Sequence, residues 1–235
     1  MQKDTRNKLL GVSTATLCTA MFKRGFTNAF LQGPQRLRPG LNMVGPAYTL
    51  RYIPSRPDLD TLDSFRDRSN PQRKGVEECP DGAVFVVDSR GDASAASMGG
   101  ILATRLQTLG CAGVVTDGGC RDTPEITDLQ MPTYQVRPSP PTNLTRHHAV
   151  AINDPIACGG VAVFPGDIMV GDNEGVICIP AHMVEEIADE AAEMTVFEDF
   201  VQEKVAGGAS TFGLYPATDP DTMPAFEAWR RANGR

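Results

Sequence analysis

Arg121 and Asp122 are two adjacent residues whose side chains could take part in catalysis. They end the run at residues 113–122, which reads GVVTDGGCRD. The Arg121 guanidinium carries a planar fork of donors that suits a carboxylate or a carbonyl oxygen. The Asp122 carboxylate is an oxygen ligand for a hard cation such as Mg²⁺, which proteins often hold through one or two carboxylates, water and substrate. Together the two residues could bind a 2-oxo acid through a metal and stabilise an enolate that develops on it.

The elements around this run predict what it faces. A helix over 100–109 would be about 15 Å long, and a strand over 113–117 would return over about 17 Å. Arg121 and Asp122 are therefore expected beside the N-terminus of that helix, where free backbone N–H groups suit an anion and a pair of glycines leaves them accessible. The residues alone leave an alternative open, because Asp-Gly-Gly is a common turn and Asp122 could cap a surface helix.

Hydrophobic patterning predicts the remaining elements. Helices are expected over residues 5–23, 71–78 and 93–109, the last interrupted by its glycine pair, and from Pro180 to about Val205. Strands are expected over residues 44–53, 84–88, 113–116, 161–164, 168–170 and 176–179. Since no composition break separates these elements, we expect one α/β domain over residues 1–210. The tail at 211–235 is expected to dock through Phe226 and Trp229 on this domain or on a neighbouring subunit.

Composition restricts the classes of function. The chain has 235 residues, 41% of them hydrophobic and 22% charged, which is typical of a folded globular protein. Its net charge of −7 argues against nucleic acid as a main partner, because phosphate binding needs a basic surface. No apolar run approaches about 18 residues and the first residues are polar, so we expect no membrane span, no secretory signal and a cytoplasmic location. The six cysteines form no CxxC pair and are expected to be reduced thiols.

Three stretches carry recognisable motifs: VSTATL at residues 12–17, GGILAT at 99–104 continued by GCAGVVTDGGCRD at 110–122, and FPGDIMVGDNEGVICIP at 164–180. They resemble the 4-hydroxy-4-methyl-2-oxoglutarate aldolase/RraA-like family. The likeness extends over roughly residues 8–210, and the Asp-Gly-Gly-x-Arg-Asp run paired with the later Pro-Gly-Asp motif is fairly specific. The resemblance implies an α-β-β-α sandwich of the swivelling phosphohistidine-domain type, assembled as trimers or hexamers with the site at a subunit interface.

The resemblance also implies a class II pyruvate aldolase that uses Mg²⁺ or Mn²⁺, cleaves a 4-hydroxy-2-oxo acid and often decarboxylates oxaloacetate. By position, Asp122 matches the metal ligand and Arg121 the residue that contacts the pyruvoyl keto oxygen and steadies the enolate. The family further brings an acidic side chain from the C-terminal helix of a neighbouring subunit, for which Glu198 is the nearest match and Glu193 the second. The amides that match the cradle of the pyruvate carboxylate belong to Gly99, Gly100, Ile101 and Leu102.

Two features depart from the family pattern. Many of its aldolases have an acidic residue where Gly100 stands, which puts a carboxylate-assisted proton relay from this position in doubt. The loop at residues 54–75 is longer than in the shortest members, and its arginines could contact a distal carboxylate of the substrate, although a solvated loop is favoured. The arginines in and beside this loop are Arg51, Arg56, Arg66, Arg68 and Arg73.

Other residues are expected to be structural. His147 and His148 are adjacent and have no third ligand nearby in sequence, so we do not expect them to bind a metal. Cys120 is expected to fill an apolar position under the loop, although a neighbouring arginine can lower a thiol pKa.

Two other functions stay open. One is a non-catalytic regulator that binds an endoribonuclease by protein contact, for which the acidic charge suits a basic partner segment. The other is a lyase or hydrolase of sugar-derived 2-oxo acids, which the glycine at position 100 motivates.

Overall fold

The computed structural model describes all 235 residues. Seven helices occur in the order α1 Lys3–Gly11, α2 Thr14–Phe22, α3 Pro71–Glu78, α4 Gly100–Thr108, α5 Thr123–Asp128, α6 Val184–Ala206 and α7 Thr222–Asn233. Thirteen strands occur in the order β1 Gln35–Arg36, β2 Met43–Pro54, β3 Val84–Asp88, β4 Ala96–Met98, β5 Gly113–Thr116, β6 Gly119–Cys120, β7 Thr133–Gln135, β8 Arg137–Pro138, β9 His147–Ile152, β10 Ile156–Cys158, β11 Val161–Val163, β12 Ile168–Gly171 and β13 Val176–Ile179. Short 3-10 turns lie at Leu62–Arg66, Asn143–Thr145 and Ala181–Met183.

The main sheet has eight strands and curls around the long strand β2. Its order is β1-β7-β5-β3-β2-β12-β13, with β9 also paired to β2. The pairs β7-β5, β5-β3 and β3-β2 are parallel, whereas β12 and β9 run antiparallel to the first and last parts of β2. A second sheet contains β4, β6 and β8, all parallel, and β10 and β11 form a separate antiparallel pair. The chain is thus a mixed α/β domain with a curled sheet.

The alternation along β3 explains how the sheet is covered on both faces. Val84 and Val86 point into the curl and pack with residues of β10 to β13. Phe85 and Val87 point outward into a cluster that also contains residues of α3, α4 and α5. Because successive strand residues face opposite sides, a strand that is apolar at every position must be buried on both. Helices α4 and α5 pack on this outer face, and this packing places them beside the candidate site.

The helices α1, α2 and α6 form a second apolar layer. The start of α6 is amphipathic, with buried residues at 184, 187, 188 and 191, the spacing of one helical face. This face packs with α1, α2 and the strands β12 and β13 in one cluster. The far half of α6 carries α7, where Phe226 is buried and Trp229 half-buried against Phe200.

The expected single helix over 5–23 is wrong, because the chain forms two helices there. Val12 and Ser13 are extended, and the Ser13 hydroxyl caps α2 by accepting the Thr16 N–H at 3.1 Å. Asp172, distant in sequence, accepts the Thr14 N–H at 2.7 Å. A side chain from a distant segment thus accepts a backbone N–H at the break between the two helices. Helical periodicity along the sequence does not reveal such a contact.

The expected helical stretch over 93–109 is also partly wrong. Ala96–Met98 is a strand that pairs with β6, and only the part after Gly99 is helical. The Ser97 carbonyl, in the middle of this strand, accepts hydrogen bonds from the Tyr52 hydroxyl and the Gln72 side-chain amide. The alanines of this stretch favour helix locally, but buried pairing with β6 overrides so weak a preference.

No helix is both long enough and apolar enough to cross a membrane. All six cysteines are free thiols. The phosphohistidine-domain likeness and the boundary at residue 210 stay predictions.

Candidate active site

The parallel pair β4 and β6 brings the two halves of the candidate site together. Met98 pairs with Cys120, and the Arg121 N–H donates to the Met98 carbonyl at 3.1 Å. Because parallel strands end at the same edge of a sheet, the chain enters α4 from one strand and reaches Arg121 and Asp122 from the other. The expected juxtaposition of residues 121–122 with the N-terminus of α4 is therefore present.

The Asp122 side chain is hydrogen-bonded to the start of α4. Its Oδ2 atom accepts the Gly100 N–H at 3.0 Å and lies 3.5 Å from Nε of Arg121. Its backbone is left-handed at φ +56°, a conformation that aspartate tolerates better than most residues. Asp122 also precedes α5, as the alternative reading required, but its side chain does not cap that helix. The carboxylate instead spans to α4, and its Oδ1 atom is left without a bond inside the chain.

Gly99 is needed for this arrangement. A Cβ atom there would lie 2.7 Å from Oδ2 of Asp122 and 2.8 Å from Nε of Arg121. A Cβ atom on Gly100 would meet the Cβ of Asp122 at 3.2 Å, a milder contact. The glycine pair therefore lets the two side chains lie against the backbone at the helix start.

These residues line one small cleft of about 80 Å³. Arg121 and Asp122 keep 44% and 43% of their side-chain surface exposed in it. Ile101, 79% exposed, and Leu102 add apolar surface. The other lining residues are Phe65, Gln72, Arg73, Ala96, Met98, Gly99, Thr142 and Asn143.

The donor set fits a hard cation but not a closed metal site. Asp122 is the sole carboxylate that lines the cleft, and no group of three or more His, Cys, Asp or Glu side chains converges anywhere in the chain. Mg²⁺ commonly keeps waters and substrate oxygens beside one or two carboxylates, whereas structural zinc needs four protein ligands. Asp122, with its free Oδ1 atom, is the residue that could hold such a cation.

Arg73 enters the cleft although its charge alone favoured a solvated position. It lies on α3, and its guanidinium carbon is 4.7 Å from the centre of the Phe65 ring. The other arginines in and beside the loop, Arg51, Arg56, Arg66 and Arg68, are exposed and do not line the cleft. A sequence signal that could have distinguished Arg73 from the other arginines is its place in the predicted helix over 71–78. There it lies three residues before Val76, which is buried in the structure.

Glu198 lies away from this cleft within the chain. It is on α6, where it accepts the Thr16 hydroxyl at 2.7 Å and the Tyr215 hydroxyl at 3.3 Å. It lines a separate cleft between α2, α6 and the tail, and Glu193 in that cleft pairs with Arg230. The expectation placed Glu198 in the site of a neighbouring subunit, so it stays a prediction.

The remaining expectations concern side chains that are structural. His147 is fully buried and stacks on Tyr52 at 5.1 Å, whereas His148 bonds to Asp60 at 2.8 Å, so the two imidazoles serve different contacts. Desolvation lowers the pKa of His147. Cys120 is fully buried, and burial raises the pKa of its thiol to about 12, so it is no reactive nucleophile.

Sequence reasoning missed a buried carboxylate that shapes the loop behind the site. Asp117 follows β5 and accepts the N–H groups of Ser89 at 2.7 Å and Gly91 at 3.0 Å. Desolvation raises its pKa, and nearby Asp88 raises it further. Its position directly after a strand, before Gly118, was the available signal.

Comparisons with known proteins agree with the sequence motifs. A family model described as RraA-like, Aldolase/RraA, matches residues 14–178. A Halalkalibacterium halodurans protein, provisionally named a 4-hydroxy-4-methyl-2-oxoglutarate aldolase, is 29% identical over 204 residues, which are 85% of this chain and 89% of that protein. The 4-hydroxy-4-methyl-2-oxoglutarate aldolase of Thermus thermophilus is 32% identical over 120 residues, covering 51% of this chain and 72% of the relative.

A solved structure gives the same assignment. Streptomyces coelicolor RraAS2, described as an unusual member of the RNase ES inhibitor RraA protein family, superposes with a TM-score of 0.76 at 30% identity. The match covers 86% of this chain and 97% of that one.

Proposed function

The chain belongs to the RraA-like family, and from this premise we propose that it is a divalent-metal-dependent aldolase that cleaves a 4-hydroxy-2-oxo acid to pyruvate. The observation that carries the proposal is the contact of Arg121 and Asp122 with the glycine-lined start of α4. The names of the two aldolase relatives support this reaction class. Oxaloacetate decarboxylation is proposed as a side activity, because it forms the same enolate.

In the proposed reaction the C3–C4 bond of the substrate breaks. The 4-hydroxyl loses its proton and C4 becomes a carbonyl, while the electron pair passes to C3 and delocalises onto the 2-oxo oxygen. The resulting pyruvate enolate takes a proton at C3 and leaves as pyruvate. Negative charge therefore develops on the 2-oxo oxygen, which is the atom that the site must stabilise.

Each group of the cleft has a part in that scheme. The Arg121 guanidinium donates hydrogen bonds to the 2-oxo oxygen and stabilises its charge. The positive dipole end of α4 binds the carboxylate of the substrate. The Gly100 N–H donates to Asp122 and the Leu102 N–H to the Gly99 carbonyl, so these two amides of the expected cradle are already used. Asp122 is the residue that would hold Mg²⁺ or Mn²⁺, which would supply Lewis-acid polarisation of the 2-oxo group.

The proton of the 4-hydroxyl needs a base that the cleft of one chain lacks, because Asp122 is its sole carboxylate. We assign this role to Glu198 of a second copy, in a trimer or hexamer with the site at the subunit interface. Glu198 is half-buried on α6 and would come from outside the cleft.

Pyruvate release coupled to lactate dehydrogenase tests the proposal, with oxaloacetate and 4-hydroxy-4-methyl-2-oxoglutarate as substrates. We expect activity with Mg²⁺ or Mn²⁺, none with EDTA, and about a 100-fold loss or more in Asp122→Asn. Asparagine can still accept the Gly100 N–H, so the fold is kept while the charge is lost. The matched control is Asp128→Asn, an exposed carboxylate on α5. Metal-independent turnover, or full activity in Asp122→Asn, would contradict the proposal.

A second candidate is regulation of an endoribonuclease through protein contact. It is favoured by the 30% identity to RraAS2, whose description names an RNase inhibitor family, and by the net charge of −7, which suits a basic partner segment. Pull-down with a degradosome-type ribonuclease, using the wild type and Asp122→Asn, separates the candidates. Equal capture by both proteins without pyruvate release by either would favour the regulator.

A further inference from the structure

We propose that Cys79 and Cys111 form a redox-active pair that a hydroperoxide converts into a reversible disulfide. The two residues are 32 positions apart in sequence, yet their Sγ atoms lie 3.8 Å apart. Cys79 directly follows α3, and Cys111 lies three residues beyond the end of α4. The disulfide would therefore join the ends of two helices whose first turns line the candidate cleft.

Backbone hydrogen bonds hold the two segments that carry these thiols side by side. The Gly82 N–H donates to the Gly110 carbonyl at 2.9 Å, and the Ala112 N–H donates to the Ala83 carbonyl at 2.7 Å. Directly after these bonds, the two segments enter the parallel pair formed by β3 and β5. The closeness of the two sulfur atoms is therefore set by the sheet and does not depend on a flexible loop.

The two thiols differ in their contacts, which gives each a separate part in the reaction. The Cys79 thiol donates to the Cys111 sulfur, and this hydrogen bond lowers the pKa of the Cys111 thiol. The same hydrogen bond, together with burial, raises the pKa of the Cys79 thiol. Because the thiolate and not the thiol is the nucleophile, Cys111 reacts first and Cys79 second.

Cys111 is also a thiol that a small oxidant can reach. It lines a surface cleft of about 420 Å³ and keeps 7% of its surface exposed. Cys120 and Cys158, by contrast, are fully buried. Such narrow access to the Cys111 sulfur favours a hydroperoxide over a bulkier oxidant.

The reaction consumes one hydroperoxide for each disulfide. The Cys111 thiolate attacks one peroxide oxygen, the O–O bond breaks, and Cys111 becomes a sulfenic acid. The hydroxide that leaves takes up the proton lost by the Cys111 thiol. The Cys79 sulfur then attacks the Cys111 sulfur, the S–O bond breaks, and the hydroxyl leaves as water with the Cys79 proton. With hydrogen peroxide, the two thiols lose two electrons and the peroxide is reduced to two waters, and a dithiol reverses the link by exchange.

Treatment of the folded wild-type protein with a small molar excess of hydrogen peroxide tests the inference. The remaining thiols are alkylated, and the chain is digested and analysed by mass spectrometry. We expect the peptides that contain Cys79 and Cys111 to be linked, and the link to disappear with dithiothreitol. Since the disulfide closes a loop over residues 79–111, the urea midpoint of unfolding should rise by roughly 1 M on oxidation.

Single substitutions distinguish the parts of the two thiols. Cys79→Ser keeps a hydroxyl that can donate to Cys111, so Cys111 should accumulate as a sulfenic acid that dimedone labels. Cys111→Ser should leave Cys79 as an unlabelled thiol, and neither variant should form the link. Cys18→Ser, which removes a partly buried thiol on α2, is the matched control and should form the link as the wild type does.

Peroxide treatment that leaves Cys79 and Cys111 as thiols in the folded wild type overturns the inference. A link that forms only in urea also overturns it, because the native fold would then not place the two sulfur atoms for reaction. A fall in the urea midpoint on oxidation has the same meaning, since the disulfide would then distort the fold. Dimedone labelling of Cys79 in Cys111→Ser, without labelling of Cys111 in Cys79→Ser, contradicts the order of the two steps.

Discussion

Substitution of Gly99 by alanine should damage catalysis far more than stability. The added Cβ would lie 2.7 Å from Oδ2 of Asp122 and 2.9 Å from Cγ of Arg121. Ordinary contacts begin near 3.4 Å, so these atoms must retreat by about 0.7 and 0.5 Å. A misplacement of about 1 Å can cost roughly 100-fold in rate, so we expect kcat/KM for pyruvate release to fall about 10- to 100-fold.

The stability of Gly99→Ala should stay close to that of the wild type. The backbone at Gly99 has φ −126° and ψ −179°, an extended conformation open to alanine, and the displaced side chains are 44% and 43% exposed. The entropic gain of about 0.4–1 kcal/mol from replacing glycine offsets part of the strain. The free energy of unfolding measured in urea should therefore change by no more than about 1 kcal/mol.

Two matched glycines control this experiment. Gly100→Ala meets its nearest atom at 3.2 Å and should lose much less activity, and Gly11→Ala, with no atom within 4 Å, should lose none. The reasoning is refuted if Gly99→Ala keeps wild-type kcat/KM, or if the three substitutions affect it equally. A large loss of stability in Gly99→Ala alone would also refute it, because the defect would then be in folding.

Three further predictions concern the fold. Ser13→Ala removes the cap that accepts the Thr16 N–H and should lower the free energy of unfolding by about 1 kcal/mol in urea, whereas Ser13→Asn should restore it. Phe226→Ala should cost about 3–5 kcal/mol locally, because its ring packs edge-on to Phe197 at 5.2 Å, and should speed amide exchange in α7 without speeding exchange in β3. Burial lowers the pKa of His147 in the folded chain, so as pH falls the unfolded chain takes up the imidazole proton at a higher pH than the folded chain. The free energy of unfolding should therefore fall as pH drops below about 6.5. His147→Gln should flatten that slope in urea titrations between pH 7 and 5, and an unchanged slope would contradict the assignment.

Local pattern was enough to predict much of the site. A glycine pair, a helix of about ten residues and a returning strand predicted that residues 121–122 meet the start of α4, and the Gly100 N–H does donate to Asp122. The prediction was possible because helix and strand lengths are fixed by their rise per residue. The long strand β2, the buried strand β3 and the tail anchor Phe226 followed from patterning in the same way.

Other features depended on contacts between distant segments. The break between α1 and α2 is stabilised by Asp172, and Ala96–Met98 is a strand because β6 lies beside it. Propensity and periodicity describe neighbours along the chain, whereas these partners lie more than twenty residues away. The short strands β7, β9 and β10 were missed for the same reason, since their partners supply most of their stabilisation.

The sequence by itself determined which groups could do chemistry: a guanidinium, a carboxylate and a glycine-lined helix start within 24 residues. Only the tertiary structure decided what joins them, because side-chain reach depends on how elements pack and not on residue type. Five arginines in and around one loop look alike in sequence, yet α3 packs against the sheet so that Arg73 alone enters the cleft. Burial without a partner distinguishes that arginine from its neighbours, and it arises only when the chain is folded.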